Sequence, residues 1–135
     1  MLRKLGGLAL SVGAAAVLVV ASRLAPAASG LGTHRGLGLP PCSFLAATGI
    51  PCPSCGLTTS FAALAHGDVS LAARANPVGL LLFLLTVLLV PGGLWLSARG
   101  VGLRQVFFHR WFDRVALGLV ASWIGSWVVR LSLTP

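Results

Sequence analysis

Apolar residues in this chain gather into three long runs, separated by stretches dense in Gly, Pro and charge. The first run spans about 5–22, with Arg3 and Lys4 before it and Arg23 after it. The second spans 77–98 and the third 115–131. Each reaches the roughly 18–20 residues that a helix needs to cross a bilayer. A core-facing helix in water would instead alternate apolar and polar faces. The pattern predicts an all-α membrane protein with three transmembrane helices, built as one membrane domain over residues 1–135. The opening also fits a signal peptide, since Ala25-Pro26-Ala27-Ala28 follows the apolar core. Its length favours a retained span.

Between the first two runs, residues 24–41 read as a loop, and the text PPCSFLAATGIPCPSCG allows no long regular element. Leu57 to His66 reads as a short helix with Gly67 as its stop. Asp68 opens and caps a second short helix to Ala75. Asn76 and Pro77 suit the cap and first position of the second span. Short surface helices and a cysteine loop, 40–75, therefore lie between spans one and two. Pro91 with Gly92 and Gly93 predicts a kink or an early end to span two. In span three, Gly118, Ala121, Ser122, Gly125 and Ser126 share a face, and Gly118, Ser122 and Gly125 are the predicted helix-packing residues, most simply within this bundle. Trp123 and Trp127 are expected on another face, toward lipid or interface. Thr58, Thr59 and Ser60 are expected to bond within their own helix.

Composition supports the membrane as solvent: 56% of residues are hydrophobic and 9% charged, too few charges to cover a soluble domain. Net charge is +8, with ten Lys and Arg against two acidic residues. The cations are scattered around the apolar runs, which is a lipid-facing placement and excludes a nucleic-acid reading. The connection from Arg99 to Arg114 also holds Arg104 and Arg110, with Val106, Phe107, Phe108, Trp111 and Phe112 suited to the interface. By the positive-inside rule the N-terminus lies inside and the cysteine loop outside. Neither a carboxylate within the spans, a phosphate loop nor a nucleophile–His–acid set is legible, and the reading leans to a non-enzymatic protein.

The distinctive chemistry is the spacing C-x9-C-P-x-C-G at Cys42, Cys52 and Cys55. Two cysteines two residues apart, followed by Gly, form a tight turn that directs two thiolates at one metal ion such as zinc, and Cys42 adds a third. His34, on a Gly-rich stretch, is the fourth candidate. His66 would lie roughly 16 Å from Cys55 along a helix, and His109 falls on the opposite side. A disulfide staple or a thiol relay uses the same atoms, with Cys55 near a helix N-terminus that would favour its thiolate. Neither a thioredoxin-like strand–CxxC–helix setting nor a haem-attachment C-x-x-C-H is present. These alternatives stay open.

The run from Pro40 to Gly79 resembles domain-of-unknown-function family 2752, small bacterial membrane proteins. The shared elements are Cys42, Thr48, Gly49, Pro51, Cys52, Pro53, Cys55, Gly56, Thr58, Gly67, Asp68, Asn76 and Pro77. The family typically has Pro where this chain has Ser43, and commonly Arg where it has Thr59. The resemblance implies membrane location and a loop built on these cysteines, and no established activity. Two functions follow as expectations: an accessory or docking subunit of a larger membrane assembly with a cysteine-held outer loop, or a metal-binding or thiol-redox protein acting through Cys42, Cys52 and Cys55.

Overall fold

A computed structural model describes residues 2–102, 105–106 and 110–133 of the chain. All its regular elements are helical: α1 (Leu2–Arg23), a 310 turn (Thr33–Leu37), α2 (Ser43–Thr48), α3 (Leu57–Ala65), α4 (Val69–Ala75), α5 (Pro77–Arg99) and α6 (Arg110–Leu133). Three stretches, Leu5–Arg23, Pro77–Arg99 and Trp111–Val129, are long and apolar enough to cross a membrane. Arg104 and His109, with Phe107 and Phe108, lie outside the described residues, and of Arg110 the backbone alone is described.

Helices α1 and α5 form an antiparallel pair. The buried positions of α1 include Gly7, Ser11, Ala14 and Ala21, spaced by a helical turn or two along one face. Gly7 and Gly93 meet backbone to backbone: a Cβ on Gly93 would stand 2.6 Å from the Gly7 carbonyl oxygen, and one on Gly7 would stand 2.5 Å from that of Gly93. Small residues are what let helix backbones approach this closely in lipid, where packing rather than water exclusion drives association. Ser11 Oγ donates to the Val90 carbonyl at 2.7 Å.

Of the two outcomes the sequence allowed at Pro91, a kink or an early end, the early end does not occur; α5 runs on to Arg99, close to the expected end of the span, and Gly100 caps it in the left-handed conformation. Within an apolar medium every peptide group must be satisfied internally. Losing one hydrogen bond at a proline therefore costs less than ending the helix there.

A second correction concerns packing. Among the described residues, nothing packs on the Gly118, Ser122 and Gly125 face of α6: a Cβ on either glycine would meet nothing within 4 Å, and Ser122 is exposed. Helix α6 lies almost wholly on the outside of the bundle and touches α5 only slightly. The close small-residue crossing belongs to α1 and α5.

At the end of the bundle where α1 stops and α5 starts, α3 and α4 form a compact cap. Asp68 accepts from the Leu71 amide at 2.8 Å, as a helix-capping Asp should. Ala62, Ala63, Leu71, Ala72 and Ala75 are its buried centre. Phe61 meets Phe83 of α5 edge to face, with centroids 5.4 Å apart. Ser60 sits where a Cβ on Gly79 would fall, so α3 lies directly against the start of α5.

Candidate thiolate centre

The loop carrying the cysteines is shaped by short local turns. Cys42 precedes the six-residue α2, whose first position, Ser43, is one that proline also suits. Gly49 ends α2 with φ 70°, and Thr48 Oγ1 both donates to the Phe44 carbonyl and accepts from the Ile50 amide. The chain then turns through Pro51, Cys52, Pro53, Ser54 and Cys55. The Cys55 amide donates to the Cys52 carbonyl at 3.0 Å and the Leu57 amide to that of Ser54 at 3.1 Å. Gly56, at φ 86°, caps α3. Its missing side chain matters, because a Cβ there would stand 2.8 Å from the Ala75 carbonyl carbon and 3.1 Å from the Gly30 carbonyl oxygen.

Three side chains from other elements grip the backbone of this turn. Asn76 is fully buried; its Nδ2 donates to the Pro53 and Cys55 carbonyls, each at 3.3 Å, while its Oδ1 accepts from the Val78 amide at 3.2 Å. One residue thus caps α5 and pins the cysteine turn. Trp123 Nε1 donates to the Pro53 carbonyl at 2.8 Å, and Trp127 Nε1 to that of Pro51 at 2.7 Å. The two tryptophans were expected to face lipid or interface; instead they reach the carbonyls flanking Cys52. The four-residue spacing that places them on one face was visible in the sequence, but their partners lie 70 and 76 positions away. The hydroxyls of α3 also depart from expectation. Thr59 Oγ1 shares a 2.8 Å hydrogen bond with Thr33 Oγ1, and Ser60 Oγ donates to the Asn76 carbonyl. Both bond across to other elements because α3 is buried on that side. Thr59, where the resemblance leads one to look for Arg, therefore points inward.

These restraints bring Cys42, Cys52 and Cys55 together. Their Sγ atoms all lie within 4.8 Å of one another, with Cys52 3.6 Å from Cys42 and 3.1 Å from Cys55. No disulfide joins them; Cys55 is buried and the others half-buried. Ser54 Oγ lies 3.2 Å from Cys52 Sγ. The environment splits the pair. Burial alone would push the Cys52 thiol up, but hydrogen bonds from Ser54, Cys55 and Cys42 outweigh it and bring it from 9.0 down to about 7. Burial first, then thiol hydrogen bonds with Cys52 and Cys42 that favour its protonated form, pushes Cys55 up to about 12. A single charge on the pair, centred on Cys52, is the physical picture.

Of the histidines, His34 lines the same cavity as the sulfurs, with Nε2 3.2 Å from the Pro40 carbonyl oxygen, and is not one of the converging donors. His66 stays away, its Nδ1 2.8 Å from the Ala62 carbonyl oxygen at the far end of α3. Arg74 is exposed and donates to Ser70 Oγ.

Residues 42–90 match the family model described as "Protein of unknown function (DUF2752)". The matched segment covers the cysteine loop, α2 to α4 and the first half of α5, just over a third of the chain. Of the three side chains that grip the cysteine turn, the match includes Asn76 and leaves out both tryptophans of α6. No curated protein and no solved structure matches the chain.

Proposed function

We propose that this protein holds a metal ion at the membrane surface on the thiolates of Cys42, Cys52 and Cys55, with zinc the best match to the donor set. The observation that carries this reading is the convergence of three thiol sulfurs, not joined by a disulfide, within 4.8 Å. Three thiolates about 2.3 Å from a tetrahedral zinc ion lie about 3.8 Å apart, so small shifts would seat the ion. A disulfide staple would use two of the sulfurs and leave the convergence of the third without a purpose. The low-lying Cys52 thiol is already suited to give up its proton on binding. The role is non-enzymatic handling of the ion.

In this reading the protein sits in a bacterial cytoplasmic membrane, N-terminus inside and thiolate loop outside. The basic connection between spans two and three and the Arg3-Lys4 start support that orientation. The close packing of α1 on α5 supports retention of the first span. The test is metal analysis of purified protein beside a free-thiol count. Nearly stoichiometric metal, lost in Cys52→Ser, supports the reading; a stable disulfide without metal ends it.

A second reading, an accessory subunit of a membrane assembly, is favoured by the open Gly118, Ser122 and Gly125 face of α6. In lipid such a face suits a helix of a partner. Copurification from mild detergent tests it, and a monodisperse monomer with nothing attached would count against it.

A further inference from the structure

Structural thiolate sites close around their ion with four protein ligands, whereas sites that react or exchange keep one position for an outside donor. Among the described residues, three donors converge here, and no His, Asp or Glu joins them. The three sulfurs instead form part of the wall of a cavity of about 460 Å³. That volume falls within the range of small-molecule sites. Arg35 and His34 stand on the same wall, which carries no carboxylate. The start of α3 at Gly56 to Thr58 also lines it, adding the positive end of a helix dipole.

We propose that the thiolate centre is open, and that a small anionic donor, such as an external thiolate, enters through this cavity as an exchangeable fourth ligand. This rests on the metal reading above and deepens it. The three cysteines, supplied by one short segment, cover one side of the ion. The cavity gives access to the other side. Arg35, exposed on the wall, attracts an incoming anion without competing as a ligand, because a guanidinium keeps its proton.

Cobalt-loaded full-length protein in detergent gives the test, since its visible absorption reports both the sulfur–cobalt bonds and the fourth ligand. Titration with azide, and separately with mercaptoacetate, is expected to shift the visible bands saturably while the sulfur–cobalt absorption persists. Arg35→Ala should weaken the azide response about two- to fivefold, the scale of an exposed charge contact. His34→Ala should leave the starting spectrum unchanged. A spectrum indifferent to both anions, or one altered from the outset in His34→Ala, would overturn the proposal, because the fourth position would then be filled by the protein. Loss of the sulfur–cobalt absorption on titration would also overturn it, since the anion would be extracting the ion. Failure to bind cobalt at all defeats the metal reading itself, so the two failures are distinguishable.

Discussion

Asn76→Ala is the substitution that most directly probes how the cysteine turn is held. The side chain is fully buried and makes three hydrogen bonds: one accepted from the Val78 amide, two donated to the Pro53 and Cys55 carbonyls. Loss of the cap costs about 1 kcal/mol. Each lost donation costs about 1 kcal/mol net. The sum is about 3 kcal/mol, roughly a hundredfold in the folding equilibrium. Asn76→Asp separates the parts, because a carboxylate keeps the cap acceptor but turns oxygen toward two carbonyl oxygens. It should be at least as damaging as Ala. The assay is SDS-titrated unfolding in mixed micelles, followed by tryptophan emission. Maleimide labelling of Cys55 under native conditions is the second readout. Both variants should label Cys55 faster than wild type, whose thiol is buried. A loss under about 1 kcal/mol in Asn76→Ala with unchanged Cys55 protection would refute the idea that this one side chain couples the start of α5 to the thiolate loop.

Gly56→Ala combines a positive φ with a clash against the Ala75 backbone, so it should destabilise by at least 2 kcal/mol or prevent accumulation of folded protein, checked by SDS titration and detergent size exclusion. Gly93→Val should separate α1 from α5, whose backbones leave no room for a side chain; crosslinking between cysteines introduced at positions 10 and 90 in a Cys-free background should fall markedly. Trp123→Phe and Trp127→Phe each remove one indole donor to the carbonyls flanking Cys52, and the pair should cost about 2 kcal/mol while raising Cys52 reactivity; unchanged reactivity would place the tryptophans outside the site's support. In chelator-treated reduced protein, alkylation should begin near pH 7 at Cys52, whose lowered value makes thiolate available there. It should stay slow at Cys55 below strongly alkaline pH, because its value is raised; mass spectrometry of the labelled peptides distinguishes the two.

The features legible in the sequence were those set by neighbours a few residues apart. Asp68 caps α4 and Asn76-Pro77 opens α5, as their positions before apolar helical runs predicted. Thr86 bonds its own helix at Leu82, as a hydroxyl in lipid is expected to. Cys42, Cys52 and Cys55 were singled out by spacing, and the fold brings their sulfurs together. Other residues were misread because their roles depend on distant partners. Gly7 and Ser11 look unremarkable in an apolar run, yet they make the close crossing with α5. The Gly118–Gly125 stripe carries the stronger sequence signal and packs against none of the described residues. Trp123 and Trp127 read as interfacial anchors because a sequence shows that an indole is amphipathic but not which carbonyl takes its proton.

Sequence alone therefore settled the three apolar helices, the caps of the short helices and the identity of the three thiols. Hydropathy over a bilayer thickness and hydrogen bonds within a few residues are local quantities, readable in one dimension. Tertiary structure decided which helices touch, that Asn76 serves α5 and the cysteine turn at once, and that the two indoles of α6 brace the turn around Cys52. Those are matters of register and close approach between segments tens of residues apart. In such contacts a one-residue shift would turn the small face of α1 or the indoles of α6 away from their partners, and nothing in the order of residues by itself specifies it.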